Sequence, residues 1–217
     1  MKVGTDSVLL GAWAQGGYRI LDIGTGTGVI ALMMAQRFER SIVEAVELDA
    51  SACVQAEENV ARSPFAERVK VICMPVQQMA TIGEYKQCFN AVVCNPPFFE
   101  NALKAPGKER NMARHTDFLP FSDLFEAVRK LMTPEGMFSV IIPFDFKDRL
   151  IQEAAISGFM SSRICSVKTT PRKTPKRFLM EFRRVRSTDM VMEEGLLETE
   201  PGKRSEWYTA LTRDFYL

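Results

Sequence analysis

The chain has 217 residues and a formal net charge of +1, with 46% hydrophobic and 25% charged residues. This length suits one well-buried α/β domain spanning residues 1–217, and the ordinary composition argues against extensive disorder. No apolar run approaches the ~18 residues of a membrane span, and no signal-peptide pattern opens the chain. We therefore expect a cytoplasmic protein that does not associate with membranes.

Cysteine and histidine usage narrows the chemistry. The five cysteines are an odd number without a C-x-x-C pair, and most lie in apolar or amphipathic runs, so buried reduced thiols are expected. His115 is the only histidine, which argues against a Ser/His/Asp hydrolase and against a His-rich metal centre. We expect no metal site.

Apolar periodicity predicts strands and helices in alternation. The predicted strands are Arg19–Ile23, Ile42–Leu48, Val69–Cys73, Cys88–Cys94, Met137–Ile142, Phe159–Val167 and Phe178–Val185. The predicted helices are Gly28–Phe38, Asp49–Arg62, Pro120–Met132, Phe146–Ser157 and a short one within Tyr208–Leu217. This alternation predicts a doubly wound α/β fold with a mostly parallel, seven-stranded, Rossmann-like sheet. Its last two strands, within about residues 159–186, would form an antiparallel hairpin at the sheet edge.

A glycine-rich run, Asp22–Gly28 (DIGTGTG), follows the first predicted strand. Alternating glycines allow a ligand to approach the backbone closely and leave the next helix N-terminus facing it. A dinucleotide site uses G-x-G-x-x-G, but Val29 stands three residues after Gly26, which disfavours a pyrophosphate. An aspartate at position 22 instead suits a cationic group such as an amino-acid ammonium. Glu47 ends the second predicted strand, where a carboxylate can accept the ribose hydroxyls of a nucleoside.

The tetrapeptide Asn95–Phe98 (NPPF) follows the fourth predicted strand, at the sheet edge where ligands of such folds bind. The Asn95 side-chain oxygen and the Pro96 carbonyl are two acceptors that can hold both hydrogens of a planar amine during its attack. Pro97 helps stiffen the loop, and Phe98 offers a face for stacking. An adenine N6 amine, a guanine N2 amine and a glutamine side-chain amide all fit this description.

Positive charge is concentrated between residues 163 and 186. Nine basic residues against one acid, Glu181, give this stretch a balance of +8 and leave about −7 for the remainder of the chain. The asymmetry predicts a polyanionic partner for one face. The alternative is an edge strand that its lysines and arginines keep soluble.

These motifs together resemble the class I S-adenosylmethionine-dependent methyltransferases. The chain closely resembles the bacterial tRNA1(Val) adenine(37)-N6-methyltransferase family in Lys2–Ala14, Asp22–Gly28, Ala45–Asp49, Asn95–Phe98 and Tyr208–Leu217. The resemblance covers nearly all residues and implies S-adenosyl-L-methionine as cofactor, with S-adenosyl-L-homocysteine as product. It implies cofactor contacts at Thr5, Asp6, Asp22, Gly24, Gly26, Gly28 and Glu47, and catalysis by Asn95, Pro96, Pro97 and Phe98. Gln77 stands where an acid often binds the cofactor's adenine, so we expect Gln77 or a backbone carbonyl to serve instead.

The resemblance further implies that the partner is the anticodon stem-loop of a tRNA. Unstacking a base of such a loop costs less free energy than unstacking a base of a duplex. The expected RNA contacts are Lys104, Lys108, Arg110, Arg114, Lys168, Arg172, Lys173, Lys176 and Arg177. We expect a monomer. Two other hypotheses stay open: a protein glutamine N-methyltransferase of release-factor type, and an RNA-binding methyltransferase fold whose activity is impaired. The second arises because family members begin with an additional segment before Lys2.

Overall fold

The computed structural model describes residues 4–97, 119–185 and 189–215. Its strands are β1 Arg19–Ile23, β2 Ile42–Glu47, β3 Val69–Cys73, β4 Phe89–Cys94, β5 Met132–Pro143, β6 Met160–Lys168, β7 Arg177–Arg183, β8 Val191–Leu196, β9 Glu198–Glu200 and β10 Lys203–Arg204. Its α-helices are α1 Thr5–Trp13, α2 Val29–Arg37, α3 Ala50–Ala61, α4 Val76–Met79, α5 Phe121–Leu131, α6 Lys147–Ile156 and α7 Glu206–Thr212. Among these described helices, none combines the length and apolarity that a membrane crossing requires.

Eight strands form one sheet in the order β3-β2-β1-β4-β5-β7-β6-β8. Strands β1 to β5 pair in parallel with their neighbours, whereas β7 runs antiparallel to both β5 and β6. The doubly wound, mostly parallel sheet and its antiparallel hairpin are confirmed. The sheet has eight strands rather than the seven predicted, because β8 pairs in parallel with β6 and takes the outermost position.

Strand β8 is hard to predict because its sequence, VMEEGL, contains two glutamates and a glycine, which have low strand propensity. Its glutamates instead pair with cations of β6, Glu193 with Arg163 and Glu194 with Lys168, each at 2.8 Å. Strand β5 also begins earlier than predicted, at Met132 rather than Met137, and its pairing with β4 has a register shift near this end. Tertiary pairing therefore overrides local preference at both places.

Helices cover both faces of the sheet. Residues of α1, α2 and α7 pack on one face and residues of α5 and α6 on the other, as expected for a doubly wound fold. On the second face, the ring of Phe125 contacts those of Phe138, Phe159 and Phe182 at centroid distances of 5.5, 5.3 and 5.4 Å. Well-packed cores of this kind hold the ends of the strands, and thus the site, in fixed positions.

Helix α1, within the opening run of the sequence, was not predicted as a helix. Its buried side chains include Leu9, Leu10 and Trp13. At its C-terminal end, Arg37 Nη1 donates to the carbonyl oxygens of Gly11 and Ala14 at 2.8 and 2.6 Å. These bonds satisfy carbonyls that a helix end leaves without partners. They also tie α1 to α2, which sets the position of the residues at the start of α1.

Candidate active site

A cavity of about 390 Å³ opens at the carboxyl ends of β1, β2, β3 and β4, within the size range of small-molecule sites. The predicted site residues that line it are Gly24, Gly26, Glu47, Gln77, Asn95, Pro96 and Pro97. They come from four separate segments at or just after the strand ends, and the parallel strands bring them together because all four carboxyl ends lie at one edge. Gly4, Ser7 and Leu119 also line the cavity, and sequence reasoning did not select them.

The glycine loop adopts a backbone conformation that other residues rarely take. Gly24, Gly26 and Gly28 have φ angles of 68°, 58° and 83°, which L side chains disfavour. A Cβ atom at Gly24 would meet nothing within 4 Å, so its backbone conformation, and not the space around it, requires glycine. Gly28 does not line the cavity and instead caps the N-terminus of α2. Gly28 thus has a structural role, and its predicted cofactor contact stays a prediction.

Asp22 lies beneath this loop and is fully buried. Its Oδ2 accepts hydrogen bonds from Thr25 Oγ1 at 2.5 Å and from the Ala31 backbone N–H at 3.1 Å, which join the loop to the first turn of α2. Its Oδ1 is buried and has no partner among the described residues. Burial raises the pKa of this carboxyl to about 7, although both hydrogen bonds oppose the rise. Asp22 does not line the cavity, so we assign it the role of holding the loop.

The raised pKa of Asp22 predicts a pH-dependent cost to folding. An unfolded aspartate has a pKa of ~3.9, so between about pH 4 and pH 7 the unfolded chain releases a proton that the folded chain retains. The free energy of unfolding therefore falls as pH rises through this interval and stays lowered above it. We expect Asp22→Asn, which cannot titrate, to gain stability relative to wild type over the same interval. Urea unfolding at pH values within and above the interval checks this; a constant difference would contradict it.

Glu47 joins the end of β2 to the glycine loop. Its Oε2 accepts from the Gly26 N–H at 2.8 Å, and its Oε1 accepts from the N–H groups of Leu48 and Asp49 at 2.8 and 3.0 Å. A carboxylate offers about four lone-pair sites, so roughly one is left for a ligand. For Glu47 to accept hydrogen bonds from both ribose hydroxyls, as predicted, one of these backbone N–H groups must give up its bond to the carboxylate when the ligand binds.

Asn95 directly follows β4 and is oriented by helix α1. Its Nδ2 donates to Ser7 Oγ at 3.2 Å, with both side chains half-buried. Because the amide nitrogen is engaged, the amide oxygen remains as the acceptor that the sequence predicts. Ser7 was missed since several polar residues open α1, and only the docking of that helix decides which of them face the cavity.

We expect Ser7→Ala to lower kcat by about 2- to 13-fold, the loss that corresponds to one hydrogen bond of ~0.5–1.5 kcal/mol. The KM for the cofactor should change little, because Ser7 acts through the Asn95 amide. Ser7→Thr keeps a hydroxyl and should restore most of the rate. Ser63→Ala is a matched control, since the Ser63 hydroxyl donates to the Val60 carbonyl and lines neither cavity. Equal rates for wild type and Ser7→Ala would exclude this positioning role.

Thr5 and Asp6, predicted as cofactor contacts, line a different, smaller cavity of about 140 Å³. Asp6 Oδ2 there accepts from Arg177 Nε at 2.8 Å. Their neighbours Gly4 and Ser7, three residues apart and so on one face of the helix start, face the main cavity instead. Helical periodicity explains the difference, since it sends adjacent residues in different directions, and the cofactor contacts at Thr5 and Asp6 stay a prediction.

The basic stretch carries less free positive charge than its sequence suggests. Four of its cations have acidic partners within 2.9 Å: Arg163 with Glu193, Lys168 with Glu194, Arg177 with Asp6 and Arg183 with Glu181. Three of those acids lie outside the stretch and reach it only through tertiary structure. Of the predicted RNA contacts here, Arg172, Lys173 and Lys176 in the β6–β7 connection are exposed to solvent.

The remaining predicted contacts, Phe98, Lys104, Lys108, Arg110 and Arg114, lie outside the described residues. All five cysteines are free thiols; Cys53, Cys94 and Cys165 are buried as expected, whereas Cys73 is exposed. Within the described ranges, no cluster of His, Cys, Asp or Glu could hold a metal ion.

Comparison with known proteins places this geometry in a family. A family model described as "Methyltransferase small domain" matches residues 4–119. A tRNA1(Val) (adenine(37)-N6)-methyltransferase from Parabacteroides distasonis is 43% identical, covering 100% of this chain and 91% of its own length. An enzyme of the same name from Phocaeicola vulgatus is 46% identical with the same coverage.

Solved structures agree in fold. A predicted O-methyltransferase from Agrobacterium tumefaciens superposes with a TM-score of 0.76 at 20% identity, covering 96% of both chains. A glycopeptide N-methyltransferase complexed with S-adenosyl-L-methionine superposes with a TM-score of 0.57 at 13% identity, covering 80% of this chain and 90% of that one. With its full-length relatives above 40% identity, the chain belongs to the methyltransferase small domain family and, within it, to the tRNA1(Val) (adenine(37)-N6)-methyltransferases.

Proposed function

We propose that the protein transfers a methyl group from S-adenosyl-L-methionine to the N6 amine of an adenine in tRNA, at position 37 of a valine tRNA. The observation that carries this proposal is the common cavity of Asn95, Pro96, the glycine loop and Glu47. An acceptor pair suited to a planar amine thus lies beside a loop suited to the cofactor. The relatives from P. distasonis and P. vulgatus are named for this same reaction.

The residues of the cavity fit S-adenosyl-L-methionine. The left-handed glycines at positions 24 and 26 admit a ligand close to the backbone, and Glu47 has about one lone-pair site left for a hydroxyl. The unpartnered Oδ1 of Asp22 is a buried acceptor beneath the loop, and a cationic ligand nearby would favour the ionised form of this carboxyl. When bound, the cofactor supplies a methyl group on a positively charged sulfur, to which the C–S bonding pair returns as the N6 lone pair forms the new N–C bond.

The task of the protein is to make the N6 lone pair available. In adenine this lone pair is delocalised into the ring, so the amine is planar and weakly nucleophilic. The Asn95 side-chain oxygen and the Pro96 carbonyl can accept both amine hydrogens and favour a tetrahedral nitrogen with a developing positive charge. Such stabilisation acts more strongly on the transition state than on the ground state. The proton that N6 loses then passes to water.

Mass spectrometry of tRNA nucleosides tests the proposal. The protein, labelled cofactor and a valine tRNA transcript should yield labelled N6-methyladenosine, mapped to position 37 by fragmentation. A transcript with guanosine at that position should take up no label. Label that remains with protein after nuclease digestion of total bacterial RNA would contradict the assignment and favour a protein amide as substrate.

A further inference from the structure

Phe144 is an exposed aromatic residue at the carboxyl edge of the sheet, immediately after β5. The residue is 47% exposed, and its ring stacks on that of Phe178 with a centroid distance of 5.6 Å and an interplanar angle of 27°. Lys147 Nζ lies 5.0 Å from the Phe178 ring centroid. The exposed ring is therefore held in a fixed orientation, and a planar ligand stacking on it would order little additional structure.

Phe144 lies at the same edge of the sheet as Asn95. Strands β4 and β5 are neighbours, with Cys94 level with Val140, so Asn95 is level with residue 141 and Phe144 lies three residues further along. A rise of ~3.3 Å per residue and a strand spacing of ~4.8 Å place the two backbones roughly 11 Å apart. The rings of Phe146 and Phe121 lie 6.3 Å apart. Phe121 is two residues after Leu119, which lines the main cavity.

Both chain segments beside the exposed ring carry cations. The Phe144 backbone N–H donates to the Lys176 carbonyl at 3.0 Å, so the β6–β7 connection lies directly beside it. In residues 144–149 and 169–176, the basic residues are Lys147, Arg149, Arg172, Lys173 and Lys176, and the acidic residues are Asp145 and Asp148. Arg177, which follows, is paired to Asp6. An aromatic face beside segments of net positive charge is the arrangement by which proteins bind single-stranded nucleic acid, with bases stacked on rings and phosphates near cations.

We propose that Phe144 is a stacking platform for an unpaired base of the tRNA anticodon loop, next to the adenine held at Asn95, with Lys176 contacting the adjoining phosphate. This inference rests on the proposed function, since it assigns a second contact to the same RNA. A stacked neighbour would hold the loop open and help to present the target base. The platform is sequence-tolerant, because every base has a face that can stack.

Binding of a fluorescently labelled anticodon stem-loop to the full chain tests the platform. We expect Phe144→Ala to weaken binding by about 5- to 150-fold, the range that base–aromatic stacking spans. Phe144→Leu should weaken binding similarly, since it is apolar but not aromatic, whereas Phe144→Trp should bind at least as well as wild type. The dependence of affinity on salt should be unchanged in Phe144→Ala, while Lys176→Ala should reduce its slope by about one.

Ile156→Ala is the matched control, because Ile156 is 81% exposed at the far end of α6 and should not affect binding. Calorimetry with S-adenosylhomocysteine shows whether each variant keeps its fold and cofactor site. Undiminished RNA binding by Phe144→Ala or Phe144→Leu, with a wild type that methylates tRNA, overturns the platform alone. A wild type that binds and labels protein but not tRNA overturns the proposed function itself.

Discussion

Asn95→Ala should lower kcat by about 100- to 1000-fold, the loss observed when one hydrogen-bonding partner of a transition state is removed. The amide oxygen is aimed by the bond from Nδ2 to Ser7 Oγ, and its partner hydrogen becomes more acidic as N6 acquires positive charge. The interaction is thus strongest in the transition state, so kcat and kcat/KM should fall together. The dissociation constant of S-adenosylhomocysteine should stay within about twofold of wild type, because that ligand occupies the cofactor site and does not include the substrate adenine that Asn95 holds.

Single-turnover methylation of the stem-loop, together with calorimetry on the same samples, measures both quantities. Asn95→Asp is a useful companion, since it keeps an oxygen acceptor in nearly the same volume and should lose less activity than Asn95→Ala. A parallel loss of cofactor-product affinity and rate in Asn95→Ala would contradict the catalytic role. Asn95 would then be a binding residue for the cofactor.

Glu47→Ala has the largest expected effect on cofactor binding. The carboxylate accepts three backbone hydrogen bonds that connect β2 to the glycine loop, and hydrogen bonds to a charged group contribute ~1.5–3 kcal/mol each. Loss of even one such contribution in the bound state corresponds to about a 10- to 150-fold rise in the dissociation constant of S-adenosylhomocysteine. The rate at saturating cofactor should fall far less, because Glu47 does not contact the amine.

Glu47→Gln separates charge from shape. The amide retains one oxygen acceptor but places an NH2 group against a backbone N–H, so its affinity should lie between those of wild type and Glu47→Ala. Glu57→Ala is the matched control, since Glu57 is exposed on α3 outside both cavities. Calorimetric affinity for Glu47→Ala equal to that of wild type would remove Glu47 from the cofactor site.

The local sequence pattern was sufficient to predict much of the fold. Strands β1 and β3 have the predicted bounds, and Asp49, at which a predicted helix begins, caps α3 and accepts from the Ala52 N–H at 2.7 Å. Short buried strands and capped helices are specified by neighbouring residues, so they can be identified without tertiary information. The same holds for Glu47 and Asn95, since residues that end adjacent parallel strands must meet at one edge of the sheet.

Other features depend on how helices and strands that are distant in sequence pack against one another. Ser7 faces the cavity and Asp6 does not, because the packing of α1 decides its rotation, and no local pattern encodes that angle. The acidic β8 was missed because its stability comes from pairing with β6 and from ion pairs across the sheet. Asp22 is predicted as a cofactor contact, and its burial beneath the loop gives it in addition the structural role of anchoring that loop.

By itself, therefore, the sequence determined the alternation of strands and helices, the glycine loop and the acceptor tetrapeptide, because these are set by residues near one another along the chain. Only the tertiary structure decided which polar groups reach the cavity, which cations of the basic stretch pair with acids, and that Phe144 is exposed beside the β6–β7 connection. Those outcomes depend on contacts between residues as far apart as Asp6 and Arg177. Hydrophobic packing of helices onto the sheet fixes such contacts, and it acts on the whole chain at once.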